Sequence, residues 1–293
     1  MLNLKTLSSL SLILTLSLGW IGNNLAYAQA AVAIISDLEG SGSIQDQPLD
    51  ILTEVKSGQF IDLAEKAQLV LVYFESGHEF IFSGASRVYV REDQPIAITG
   101  SPPVQRQLLL GEEGKRISIK PGMMIQAAMV MRNMQVDQLT LLSPKNSKTA
   151  EASPHFNWSW VGPKTTEFRF VLDDPQYTLY IERGIKNSPY QLPSHIHLQP
   201  NTDYVWRIEA LSPKGELQEL QSASFRLLTA EQRQQVEHGR PSAKASFSER
   251  LVYAVWLKQL GLNQEAADYF DQLAAERAQA KVLKKMATPP SAP

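Results

Sequence analysis

His195 and His197 are separated by one residue, the tightest spacing among the five histidines of the chain. On a strand, alternate residues share a face, so both rings could turn toward one metal ion. A third ligand such as Glu182 or Asp203 would then have to approach. No ligand spacing around the pair supplies that group, and the competing reading is a polar loop before a strand at Tyr204. Asp173-Asp174 are adjacent carboxylates, the raw material of acid–base chemistry. Pro175 follows them, so the run reads as a turn. Glu112-Glu113, flanked by Gly111 and Gly114, reads as a solvated hairpin tip, and His78 as a solvated turn residue. Gly40-Ser41-Gly42-Ser43 approaches a nucleophile elbow but lacks the Gly-x-Ser-x-Gly spacing between strand and helix. The chain contains no cysteine. These residues predict no catalytic, cofactor-binding or metal-ligating set, and hence a protein that is not an enzyme and needs no cofactor.

The N-terminus has the pattern of an export signal. Lys5 is the one charged residue before Asp37, and an apolar run extends from Leu7 to Ile21. Ala26-Tyr27-Ala28 places small residues where a signal peptidase reads them, predicting cleavage between Ala28 and Gln29. The alternative is an uncleaved anchor, but the run is Ser-rich and short of the roughly 20 apolar residues a span needs. Losing Lys5 moves the formal net charge from −2 to −3. The charges are interspersed, so nothing steers the chain to nucleic acid or anionic lipid. An exported chain without cysteine has no disulfide framework and must draw stability from its cores. Together these features predict a soluble periplasmic protein with no stable membrane insertion once the signal is removed.

Residues 31–135 predict an all-β unit. Ala31 to Ile35 is an apolar strand, followed by a turn cluster at Leu38 to Ser43. In Gln68 to Phe74, Leu69, Leu71 and Tyr73 alternate with Val70, Val72 and Phe74. Glu75-Ser76-Gly77-His78 turns the chain, Phe80 and Phe82 resume the period of two, Gly84 breaks it, and Val88 and Val90 begin again. Pro95, Pro102 and Pro103 punctuate a linker. Further strands are expected at 107–110, 116–119 and 123–131, the last with four methionines that would fill a core or, less commonly, form an adaptable binding surface.

The order of these pieces resembles the FecR domain family. The matching segments are Ser57 to Ile61, Ala67 to Phe74, Ser76 to Phe82 and Gly84 to Val90. The chain departs from the family at Gly58-Gln59, where Gly-Asp is usual, and at Leu63-Ala64, where Thr-Gly is usual. The resemblance implies a cell-envelope module for signal reception or for recognition of a protein or cell-wall ligand. In iron-citrate regulators of that family the domain lies outside the membrane and a cytoplasmic segment controls a sigma factor. That segment and a retained span are missing here, so a direct transmembrane relay is not expected.

Residues 140–229 predict a second β unit, with strands at 154–158, 168–172, 177–181, 204–210 and 223–227. Leu198-x-Pro200 followed by Tyr204 at a strand start resembles the tyrosine corner of immunoglobulin-like sandwiches, the hydroxyl finding a backbone carbonyl in the preceding corner. The segment resembles a fibronectin type III-like domain. Trp158 and Trp206 are expected in its core, the competing role being a platform for carbohydrate.

Beyond it the apolar period changes to three and four. Ser246 or Ser248 can cap a helix with Leu251, Ala254 and Val255 on one face, and Leu260 to Asn263 would end it and cap the next, where Ala266, Phe270, Leu273 and Arg277 recur. Trp256 to Leu273 resembles part of one tetratricopeptide unit, and a single unit cannot form an array. A helical hairpin over 246–286, docked on the sandwich or on a partner, and a disordered Pro-rich tail over 287–293 are expected. The whole is predicted to be mainly β, and a non-enzymatic binding or adaptor protein of the bacterial envelope whose partner is an envelope protein or a cell-wall glycan. Alternatives are a structural scaffold of an envelope complex and a glycan-active enzyme, which needs two carboxylates about 5–10 Å apart in a cleft.

Overall fold

The computed structural model describes residues 30–108, 119–121, 138–164 and 166–287. The expected signal segment, the Pro-rich tail, the Glu112-Glu113 tip and most of the strands expected between 107 and 131 lie outside the described residues.

Ten strands form the first unit: β1 (Ala31–Glu39), β2 (Gly42–Ile44), β3 (Gln47–Pro48), β4 (Glu54–Lys56), β5 (Phe60–Leu63), β6 (Gln68–Tyr73), β7 (His78–Ser83), β8 (Ser86–Val90), β9 (Pro95–Thr99) and β10 (Val104–Gln107). They make two antiparallel sheets, ordered β10-β7-β6-β1-β4 and β3-β2-β5-β8-β9. The facing residues Ala33, Ile35, Leu69, Leu71, Phe80 and Phe82 of one sheet and Ile44, Ile61, Val88 and Val90 of the other share one core. A half-solvated strand buries every second residue, yet β6 buries Leu69 through Tyr73 without a break. A strand buried on both faces must be covered on both.

The second cover comes from the far end of the chain. Eight strands of the second unit intervene: β11 (Leu139–Ser143), β12 (Ser147–Thr149), β13 (His155–Trp160), β14 (Glu167–Asp173), β15 (Thr178–Ile185), β16 (Tyr190–Gln191), β17 (Asp203–Leu211) and β18 (Leu217–Leu227). Then come α1 (Ala230–His238), α2 (Phe247–Leu260), α3 (Asn263–Glu276) and α4 (Lys281–Ala287). The helices' buried residues, among them Leu251, Val255, Phe270 and Leu283, belong to the same core as Ile34 and Val72. The helical region thus forms a third layer on the first unit. The expected contact with the sandwich is present, where α3 meets β12, but the helices bury their apolar residues chiefly on the first unit, a cover the expected docking did not include. The physical reason is that α2 is apolar nearly all round, with Leu251 to Val255 all buried, so it needs more cover than one helical neighbour gives.

A bulge in β1 builds that joint. Ile35 pairs with Leu71 and Asp37 with Val70, which leaves Ser36 as an extra residue. The extra residue turns Ser36 and Asp37 toward the helices while Leu38 returns to the inner core. Ser36 Oγ meets Ser248 Oγ at 2.9 Å, both side chains buried, and Ser36 also donates to the Val70 carbonyl. Arg277 donates from Nε and Nη2 to the two Asp37 oxygens at 3.0 Å and from Nη2 to Glu39 at 2.7 Å. Its guanidinium lies 4.8 Å from the Phe247 ring centroid. Arg277, expected on the repeating face of α3, instead follows the helix as its C-cap.

Local signals set the helix ends. Ser246, not Ser248, caps α2, in a reciprocal capping box with Glu249. Gly261 closes α2 in the left-handed conformation at φ 84°, donating to the carbonyls of Leu257 and Lys258. Asn263 does not cap α3. Leu262 holds that position without a side-chain bond, since an alkyl side chain has no acceptor, and it is buried in the core instead. The helical region also exceeds the expected hairpin, since α1 precedes residue 246 and α4 adds a third helix within 246–286. α1 buries only Val236 and so carries no apolar stripe to read.

The second unit is a two-sheet β-sandwich with a core of its own. Its sheets are ordered β11-β13-β16 and β12-β18-β17-β14-β15. The leading edge changes sheets, as β11 pairs with β13 and β12 then runs parallel to β18. Tyr204 is buried, but its hydroxyl accepts from the Gln199 backbone N–H at 2.7 Å rather than donating to a carbonyl. Among the described residues, no helix is long and apolar enough to cross a membrane.

Candidate functional site

The residues singled out for chemistry do not converge. His195 and His197 are exposed beyond β16, and the His195 ring meets Tyr180 edge-on at 6.4 Å. Glu182 accepts from the Tyr180 hydroxyl, and Tyr190 donates to Tyr180 at 3.3 Å. Burial first, and the Glu182 bond second, push the Tyr180 phenol well above its usual range. Asp203 is held by Arg226, which draws its carboxyl below the usual range. Glu182 and Asp203 are therefore both engaged by other side chains. Among the described residues, no group of three His, Asp or Glu side chains is arranged to hold a metal ion. Asp174 Oδ1 accepts the backbone N–H groups of Gln176 and Tyr177, fixing the turn, and Asp173 takes Thr178 and Arg207. Trp206 is fully buried and donates to the Pro144 carbonyl at 2.6 Å, and Trp158 packs against Phe168. Both tryptophans are core residues. His78 starts β7 and leans edge-on against Phe80 at 6.2 Å, half-buried where the sequence suggested a solvated turn.

Among the described residues, two concavities stand out. The first opens where the two sheets of the first unit end. β9 is the outer strand of one sheet and β10 of the other, and no described strand pairs with the free edge of either. The loop joining them leaves a groove of about 440 Å³. Phe80 floors it, and Pro95, Ile96, Ala97, Pro102 and Pro103 line it. On the two edge strands beside it, Ile98 is 55% exposed and Val104 65% exposed. β10 is secured to β7 by its ladder and by the ion pair of Arg106 with the fully buried Glu79. The wall depends on Gly100, at φ 88°, where an added Cβ would stand 2.6 Å from the Ala85 carbonyl oxygen. Gly100→Ala should cost about 1–2 kcal/mol from backbone strain, measurable by denaturant unfolding. Nothing in the composition marked this groove. Its signal was the Pro95, Pro102, Pro103 punctuation, which reads as linker until the two edges are seen side by side.

The second concavity, about 190 Å³, lies between the sandwich and α3. It is polar, lined by Lys148, Glu151, His155, Asn157, Glu265 and Asp268 among others. Glu265 bridges the two sides. Its Oε1 accepts from the Ala150 N–H at 3.2 Å and from Thr149 Oγ1 at 3.4 Å, while Oε2 is buried without a partner.

No family model matches the chain, and no curated protein matches it. The FecR-like pattern thus stands on the residues alone. Among solved structures, the chain is similar to the fibronectin(III)-like modules of Clostridium thermocellum CbhA. The identity is 8% and the TM-score 0.23, over 68% of this chain and 81% of that one.

Proposed function

We propose that this chain is a non-enzymatic binding or adaptor protein exported to the bacterial periplasm, with a FecR-like first unit as its recognition module. The open groove between β9 and β10 carries the reading. Edge strands offer unpaired backbone donors and acceptors, and an apolar floor beside them accepts alternate side chains of an added strand. That chemistry fits an extended segment of an envelope protein better than a cell-wall glycan, because the lining is mostly apolar and rich in proline, with Gln94 and Gln105 as its polar side chains. Export is supported by the Ala26-Tyr27-Ala28 site and the apolar run before it. A scaffold acting through the helices is less well supported, since their apolar faces are spent on the first unit.

The test is site-specific photocrosslinking in the envelope from Ile98 and Val104, with Val161 on the sandwich as control. Protein adducts from the two edge-strand positions and none from Val161 are expected, and Gly100→Ala should weaken them. Glycan adducts, or equal labelling from all three, would overturn the reading.

A further inference from the structure

The joint between the helical layer and the sandwich turns on one carboxyl group. Lys148 N donates to the Gly261 carbonyl at 2.8 Å, and the next two residues of that edge, Thr149 and Ala150, both donate to Glu265 Oε1. Glu265 sits in the first turn of α3, so its own helix N-terminus favours the anion. The Thr149 and Ala150 donors at Oε1 favour it as well, but the surroundings of the second oxygen oppose it. Oε2 is sealed from solvent with no partner. Glu151 approaches from the sandwich edge, and Asp268 stands one turn along α3 on the same cleft wall. Lys148 also lines the cleft, but its stem lies along Gly261. His155 on β13 is 3.6 Å from Glu151 and partners that residue instead. From α2, the nearby titratable group is the buried Tyr253 hydroxyl, which donates to the Val236 carbonyl and not to Glu265.

We propose that this contact is a pH-gated joint, tight while Glu265 is protonated and loosened when it ionises. A neutral carboxyl keeps both bonds at Oε1 and leaves only an uncharged oxygen in the dry part of the cleft. The anion places charge on an oxygen that has no donor and stands near the Glu151 carboxylate, so separating α3 from β12 relieves it. Burial raises the Glu265 carboxyl above its ordinary value of 4.5, and Glu151 adds to the effect, while its own backbone N–H, the Ala150 N–H and the Thr149 hydroxyl offset part of it. A group raised in the folded state contributes its full stabilisation below the unfolded value and loses it as pH climbs through the folded one. The joint is therefore tightest in acid and slackens toward neutrality. This behaviour is independent of whatever occupies the groove.

The chain has no cysteine, so two can be introduced at the exposed positions Ser222, on β18, and Gln272, on α3, without background labelling. Paired spin labels there report the distribution of distances across the joint. In the full chain that distribution should be narrow at about pH 4 and broaden by about pH 8. Glu265→Gln keeps an acceptor for Thr149 and Ala150 and offers an amide to Glu151 and Asp268, so it should stay narrow at both. Glu151→Gln should move the midpoint to lower pH. This variant leaves the bridging contact intact and serves if Glu265→Gln does not fold. A distribution indifferent to pH, a Glu265→Gln protein that broadens like the parent, or a response abolished by His155→Gln and untouched by the other two substitutions would overturn the proposal.

Discussion

Phe156→Ala should remove about 3–5 kcal/mol from the sandwich and leave the first unit standing. The ring is wholly buried and meets three others, Phe170, Trp206 and Phe225, with centroids at 4.7, 5.1 and 5.6 Å. It joins the small sheet to the large one, since β13 carries Phe156 and β14, β17 and β18 carry its partners. Removing it loses transfer energy, opens a cavity and breaks edge-to-face contacts worth about 0.5–1.5 kcal/mol each. Phe156→Leu should lose roughly half as much, because the volume is better kept. Denaturant unfolding followed through the near-ultraviolet signal of the sandwich aromatics should move to lower midpoint. Amide exchange in β6, which belongs to the other core, should hardly change. Equal loss of protection in both units would mean that the two cores unfold as one.

Arg277→Ala should destabilise the first unit by about 2–4 kcal/mol. Arg277 and Asp37 are each less than one-fifth exposed, so the truncation leaves Asp37 with its two charge-assisted bonds gone in a largely dry joint. Glu39 loses little, being half exposed. The planar fork and its stacking on Phe247 cannot be reproduced by an ammonium group, so Arg277→Lys should recover less than half of the loss. Asp37→Asn in the Arg277→Ala background should restore part of it, since a neutral amide tolerates the site better than a stranded carboxylate. A double-mutant cycle on thermal unfolding gives the coupling directly. Additive effects of the two substitutions would show that Arg277 acts through Phe247 and Glu39 and not through Asp37.

Much of the architecture was legible because each β unit alternates and turns in the usual way. Leu69 to Phe74 read as a strand, Tyr204 as a corner residue, and Leu251, Ala254 and Val255 as one helical face. The third layer was legible in principle too. Apolar residues at both parities in β6, Leu69 and Leu71 against Val70 and Val72, mean two covered faces, and no other unburied apolar helix was available to cover the second. What a single sequence does not carry is long-range choice. Nothing local in Arg277 indicates that Asp37, 240 residues away, will be its partner, and the bulge at Ser36 that makes the pairing possible has no residue signature of its own. α1 escaped because a polar helix with one buried side chain has no period. The histidine pair failed as a site for a different reason, as Asp203 had a better partner in Arg226 directly across the strand pair. Glu265 was invisible for the same long-range reason as Arg277, because its role is set by β12, more than a hundred residues earlier.

The central claim is that the C-terminal helices complete the first β unit instead of forming an independent module. Hydrogen exchange on a chain lacking residues 246–287 tests it most directly. Without the helices, Ile34 and Val72 lose their cover, so the backbone amides of β1 and β6 should exchange orders of magnitude faster while those of β14 and β17 keep their protection. Native protection of β1 and β6 in the shortened chain would contradict the account.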